Sequence, residues 1–96
     1  IISITMIKSL KITITGRVQG VFFRASTKAV ADQLGVKGII KNQKDGTVYV
    51  EAEAEELFMN EFIDWCKYGP DDARVDDVII EESELKNYRN FEILKK

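Results

Sequence analysis

The residues best suited to chemistry gather in one stretch, Gly16-Arg17-Val18-Gln19-Gly20-Val21-Phe22-Phe23-Arg24, with Asn42 further along the chain. Read for its pattern, the stretch joins an alternating apolar segment to a helical one, so it crosses from a strand to a helix N-terminus. A helix start carries free backbone N–H groups and a partial positive charge, which suits an anion. Glycines at 16 and 20 let the backbone curl and aim several N–H groups inward. Arg24 falls where the helix begins, and a guanidinium grips two phosphate oxygens at once. From these residues alone two readings stand side by side: a cradle for a small dianion, or a structural turn with a solvated arginine. Arg17 either helps attract an anion or is merely exposed. The Gly-Lys-Ser/Thr ending of a nucleotide-binding P-loop is missing.

Asn42 shares strand parity with Gly38 and Ile40, so it faces wherever Ile40 faces. An amide there can both donate to and accept from a water held beside a phosphate. It can equally open a hairpin, since Asn is frequent before such turns.

The rest of the composition excludes more than it offers. The 96 residues contain no histidine, which removes imidazole as base, nucleophile or ligand. One cysteine, Cys66, permits no internal disulfide and fits a reducing compartment, so a cytoplasmic location is expected. Cys66 reads as core, as do Phe58, Phe62 and Trp65 on the same helix. Asp71, Asp72, Asp76 and Asp77 read as a solvated acidic loop rather than a metal site. No metal and no cofactor are expected. The formal net charge is −2 with both signs intermixed, so no field draws in nucleic acid or an anionic membrane. No apolar run reaches the roughly 18 residues of a membrane span.

The elements that must position these residues follow from periodicity. Residues 8–15 alternate, with Leu10, Ile12 and Ile14 on one face. Residues 24–34 carry a stripe of Phe23, Thr27, Val30, Ala31 and Leu34, and Gly35 stops that helix. Residues 36–43 and 47–54 form strands around an Asp45-Gly46 turn. In the second, Val48, Val50, Ala52 and Ala54 point inward, and Thr47, Tyr49, Glu51 and Glu53 outward. Residues 55–67 form a helix with Phe58, Phe62 and Trp65 on one stripe and Met59, Ile63 and Cys66 beside it. Gly69-Pro70 ends it. Residues 75–82 form a strand with a bulge, and 91–94 a short closing strand. The order predicts an α+β, ferredoxin-like split βαβ sandwich (βαββαβ), an antiparallel sheet with two helices on one face.

Ile14 to Arg24 resembles the first signature of the acylphosphatase family at every defining position. Gly38-Ile39-Ile40-Lys41-Asn42 with Gly46 and Val48 resembles the second, and the likeness continues through Gly69-Pro70, Ala73, Val75 and Val78. It covers residues 8–94. The resemblance implies a metal-independent hydrolase that cleaves the carboxyl–phosphate bond of acyl phosphates by water attack at phosphorus. It further implies phosphate binding by Gly16 through Phe23 and by Arg24, with Asn42 orienting the water. The implied partners are an acyl phosphate and inorganic phosphate, and a monomer is expected. Two positions depart from the family pattern. Ile39 replaces a usual aromatic, and Ala54 a usual glycine. Residues 1–7 are read as an N-terminal extension and 8–96 as one acylphosphatase-like domain. Two rivals are an RNA-binding module, faintly suggested by Val21-Phe22-Phe23, and a carbamoyl phosphate-handling module of a larger maturation machinery. The length of the chain favours a stand-alone enzyme over the latter.

Overall fold

The computed structural model describes residues 6–95. Alternation places Leu10, Ile12 and Ile14 of β1 (Ile7–Arg17) in the core. The rest of the expected N-terminal extension, residues 1–5, lies outside the described residues. There follow α1 (Phe23–Leu34), β2 (Lys37–Asn42), β3 (Val48–Glu55), α2 (Glu56–Tyr68), β4 (Arg74–Glu82) and β5 (Phe91–Leu94). The strands form one sheet in the order β4-β1-β3-β2-β5. The first four pair antiparallel, as expected. β5 adds to β2 in parallel, so the five-stranded sheet is mixed. The reason is topological. β4 and β2 lie at opposite edges of the antiparallel set, and the chain reverses once as it crosses between them.

That crossing, residues 83–90, changes the outer face of the sheet. Ser83 N–H donates to Ser9 O on β1, and Asn90 O accepts from Gly38 N–H on β2. Between them the segment covers Glu53, which is 5% exposed. Glu53 points away from the helices, as its parity requires, yet it is not in solvent.

α1 packs over β2 and β5, and α2 over β1, β3 and β4. The buried face of α1 is Phe23, Thr27 and Ala31, with Val30 and Leu34 packed beside it. It stops at Gly35, whose φ of 76° lets its N–H cap Ala31 O. α2 buries Met59, Phe62 and Cys66. This corrects the expected stripe. Phe58 is exposed, and Trp65 is only partly buried, its ring 5.6 Å from that of Phe23. Two adjoining apolar stripes share Phe62 on this helix, and periodicity alone does not choose between them.

The bulge lies where β4 pairs with the end of β1. Thr15 faces Asp77 but Gly16 faces Val75, so Asp76 is the extra residue. A Cβ on Gly16 would come within 2.1 Å of Arg74 O, so only glycine lets the two strands approach there.

Candidate functional site

The junction between β1 and α1 is held by its side chains and left open by its backbone. Val18, Val21 and Phe23 are buried in the core. Gln19 Nε2 donates to Gln43 O at 2.7 Å and Thr47 O at 2.9 Å, tying the loop to the β2–β3 hairpin. That hairpin is itself fixed by Asp45, which accepts from Thr47 N–H (3.0 Å) and Thr47 Oγ1 (2.6 Å). These bonds hold the Asp45 carboxyl below its ordinary range.

Gly20 and Phe22 both take left-handed backbone conformations, with φ of 73° and 61°. For phenylalanine this costs about 1–2 kcal/mol and persists only where the surroundings impose it. Its consequence is visible in the hydrogen bonds. Among the described residues, no backbone N–H from Gln19 to Ala25 donates one, and the first helical bond is Ser26 N–H to Phe22 O at 3.0 Å. Several N–H groups are thus available together at the positive end of α1.

Asn42 lies on the helix-covered face of β2, in line with the fully buried Ile40. Its Oδ1 is buried and has no hydrogen-bond partner among the described residues. An orphaned buried acceptor of this kind costs about 1–3 kcal/mol, which a donor such as water would offset.

Arg24 and Asn42 face one pocket of about 710 Å³. The loop and helix start contribute Val18, Gly20, Phe22, Phe23 and Ala25, and β5 contributes Ile93 and Lys95. Among the described residues no carboxylate lines it, and Arg24 takes part in no ion pair. In a chain of net charge −2 this is a local concentration of positive charge.

Of the residues singled out in the sequence, Val18, Gly20, Phe22, Phe23, Arg24 and Asn42 meet at this pocket. Gln19 and Val21 lie in the same loop and hold it from behind. Gly16 and Arg17 belong to β1, opposite Val75 and Arg74 of β4, and do not line the pocket. Ala25, Ile93 and Lys95 went unnoticed in the sequence. Ala25 follows directly from the helix start, but the β5 residues arrive through a long-range parallel pairing that no local pattern announces.

The remaining reactive side chains lie elsewhere. Burial pushes the Cys66 thiol up to about 12, leaving an inert core group. Asp71, Asp72, Asp76 and Asp77 are exposed, and Arg74 pairs with Asp76 at 3.1 Å. Among the described residues, no group of three acids or cysteines is arranged to hold a metal.

The fold and pocket together define a ferredoxin-like α+β sandwich with an open pocket at its first strand–helix junction. Comparison with known proteins gives the family. The sequence matches the acylphosphatase family over residues 10–93. It is 44% identical over 87 residues to an acylphosphatase of Ligilactobacillus salivarius, covering 90% of this chain and 97% of that protein. The structure resembles the acylphosphatase of Bacillus subtilis with a TM-score of 0.88 and 34% identity, covering 93% and 99% of the two chains. It also resembles part of full-length HypF, solved in a phosphate- and nucleotide-bound form, with a TM-score of 0.84 and 32% identity. That match covers 96% of this chain and 12% of HypF. The chain belongs to the acylphosphatase family, whose function is the hydrolysis of acyl phosphates.

Proposed function

We propose that this pocket hydrolyses acyl phosphates through Arg24, Asn42 and the backbone amides of residues 19–25, without a metal ion. The observation that carries this reading is that one pocket is lined by Gly20 and Phe22 through Ala25, whose N–H groups are unpaired, together with Arg24 and the orphaned amide of Asn42. The amides and Arg24 bind the phosphoryl oxygens and stabilise the charge that spreads over them in the transition state. Asn42 accepts a hydrogen bond from the attacking water and sets its oxygen in line with phosphorus.

The water oxygen bonds to phosphorus while the bond from phosphorus to the acyl oxygen breaks. The electron pair leaves with the carboxylate, and the water proton passes to a phosphate oxygen. A carboxylic acid has a pKa of about 4 to 5, so its anion departs without a proton donor. An alkoxide would need a general acid or a metal. The chemistry therefore suits a pocket whose polar side chains are an arginine, an asparagine and a lysine.

The reading extends to a monomer in a reducing compartment. The edge strand β4 carries Asp76, Asp77, Glu81 and Glu82 against one cation, Arg74, and this excess of negative charge opposes edge-to-edge pairing. Cys66 is a free buried thiol. No helix among the described residues is long and apolar enough to cross a membrane.

The test is benzoyl phosphate hydrolysis at neutral pH in excess EDTA, wild type beside Arg24→Gln. Activity that survives the chelator and disappears in the variant supports the reading. Phosphate binding by a folded wild type that turns nothing over sinks it, leaving a binding module.

A further inference from the structure

We propose that Lys95 makes this pocket selective for acyl phosphates whose acyl part carries a second negative charge. The proposal rests on the hydrolase reading above and adds the class of substrate.

Lys95 reaches the site through strand register. β5 pairs with β2 in parallel, Ile40 beside Ile93 and Lys41 beside Leu94. The pairing ends at Leu94, and the same register continued one residue brings Lys95 to the level of Asn42, with which it lines the pocket. Alternation puts Phe91, Ile93 and Lys95 on the same face as Ile40 and Asn42. Helix α1 brings Arg24 to the same end. Lys28 Nζ donates to Phe91 O at 2.9 Å, which locks that turn of α1 over the start of β5. Arg24 lies one turn earlier on the same helix face, over the far end of β5. Arg24 and Lys95 both line the pocket, no acid lines it with them, and neither joins an ion pair among the described residues. Two cations that line one pocket repel each other unless an anion lies between or beside them.

The phosphoryl group does not account for both. Its oxygens are met by the loop amides and Arg24, and a pocket of about 710 Å³ is in the range that takes a whole small molecule. In-line displacement fixes where the remainder goes. Asn42 lines the pocket with its Oδ1 buried, and in the reading above it holds the attacking water, so in-line displacement sends the acyl oxygen out on the side opposite Asn42. Among the lining residues Gly20, Phe22 (79% exposed), Ala25 and Lys95 are exposed, and of these four Phe22 and Lys95 carry the large side chains. Phe22 offers an apolar ring face to the acyl chain, and the Lys95 ammonium offers a charge to a carboxylate or phosphate beyond it.

The experiment compares kcat/KM for benzoyl phosphate and 4-carboxybenzoyl phosphate in wild type, Lys95→Met, Lys95→Glu and Lys95→Arg, with inorganic phosphate as competitive inhibitor. The expected result is a fall of about fivefold in the carboxybenzoyl-to-benzoyl ratio in Lys95→Met at low salt, the size of one exposed charge pair at about 4 Å. The ratio falls further in Lys95→Glu, returns in Lys95→Arg, and the Lys95→Met effect shrinks as salt rises. Inhibition by phosphate stays unchanged in Lys95→Met. A ratio that does not move overturns the proposal while leaving the hydrolase intact. Equal losses on both substrates with weaker phosphate inhibition also overturn it, placing Lys95 in the phosphate cradle. A wild type that hydrolyses neither substrate removes the hydrolase reading and this one with it.

Discussion

The two faces of the sheet treat polar groups in opposite ways. At the pocket, the amides of residues 19–25 and Asn42 Oδ1 are unpaired. On the helix-free face, two carboxylates of β3 are saturated. Glu51 accepts from Tyr49 OH at 2.8 Å and also from Tyr88 OH and Lys86 Nζ. Glu53 accepts from Tyr88 N–H at 3.0 Å, from Lys86 N–H and from Ser9 Oγ. Burial alone would raise the Glu51 carboxyl. The hydrogen bonds from Lys86, Tyr88 and Tyr49 and the Lys86 charge outweigh it and hold the group at about 2. The same burial, with the carboxylate as neighbour, pushes Tyr88 up to about 12 and raises Tyr49 as well. A saturated group stabilises the fold but has nothing left for a ligand. An unpaired group costs stability and is free to bind. The difference teaches that the outer cluster anchors the 83–90 crossing, while the polar groups at the pocket are left without partners, as the proposed anion binding requires.

Substitutions that act on one region and spare the other test this contrast. Arg24→Gln should have the largest effect, a loss of about 10² to 10³ in kcat/KM with weaker phosphate binding, as for removal of one charge-stabilising donor. Urea unfolding of that variant should match the wild type, because Arg24 has no ion-pair partner among the described residues. Asn42→Ala should lower kcat by about 10² while phosphate still binds, and its unfolding midpoint should not fall, since an orphaned acceptor is removed. Equal loss of phosphate binding in both variants would contradict the division of roles.

Glu53→Ala should do the reverse. It strands two backbone N–H groups of the crossing, at a cost of about 1–3 kcal/mol each when buried, so chemical unfolding should show roughly 2–3 kcal/mol lost. Its kcat/KM should stay within about twofold, the scale of a remote and independent change. A large loss of activity would mean that the crossing also sets the pocket, and the contrast would break.

Two smaller effects concern pH. The folded-state pKa of Glu51 lies below its ordinary 4.5, at about 2. Its contribution to stability is therefore complete above pH 4.5 and is lost as pH falls toward 2. Glu51→Gln should flatten unfolding free energy against pH across that window, and an unchanged slope would place the acid sensitivity elsewhere. The rate should show a broad plateau around neutrality, because arginine and amide side chains do not titrate there. A narrow bell near pH 7 would reveal an acid–base group outside Arg24 and Asn42.

Much of this protein was legible in its residues because the signals are local. Alternation in β1 and β3, the Asp45-Gly46 turn, the Gly35 stop and the break of alternation between Val75 and Val78 are each set by a few neighbouring side chains. The glycine-rich junction and the parity of Asn42 with Ile40 are local too, so the residues of the first junction and of β2 that line the pocket were readable. Where the local signal was degenerate, the reading failed. Met59, rather than Phe58, turns inward on α2 because docking selects one of two adjoining stripes. Glu53 looked like a solvent-facing strand residue, and nothing near it announces the segment that arrives from residues 83–90 to cover it.

By itself, then, the sequence determined the elements, the family resemblance and the residues suited to hold a phosphate, since propensity, turn chemistry and short motifs act over a few residues. Only the tertiary structure decided that Gly16 serves the contact with β4, that Ile93 and Lys95 join the pocket wall, and that Asn42 Oδ1 is buried without a partner. Those outcomes depend on strand pairing and register between distant segments, which are settled by the packing of the whole sheet against its helices rather than by any stretch of residues read alone.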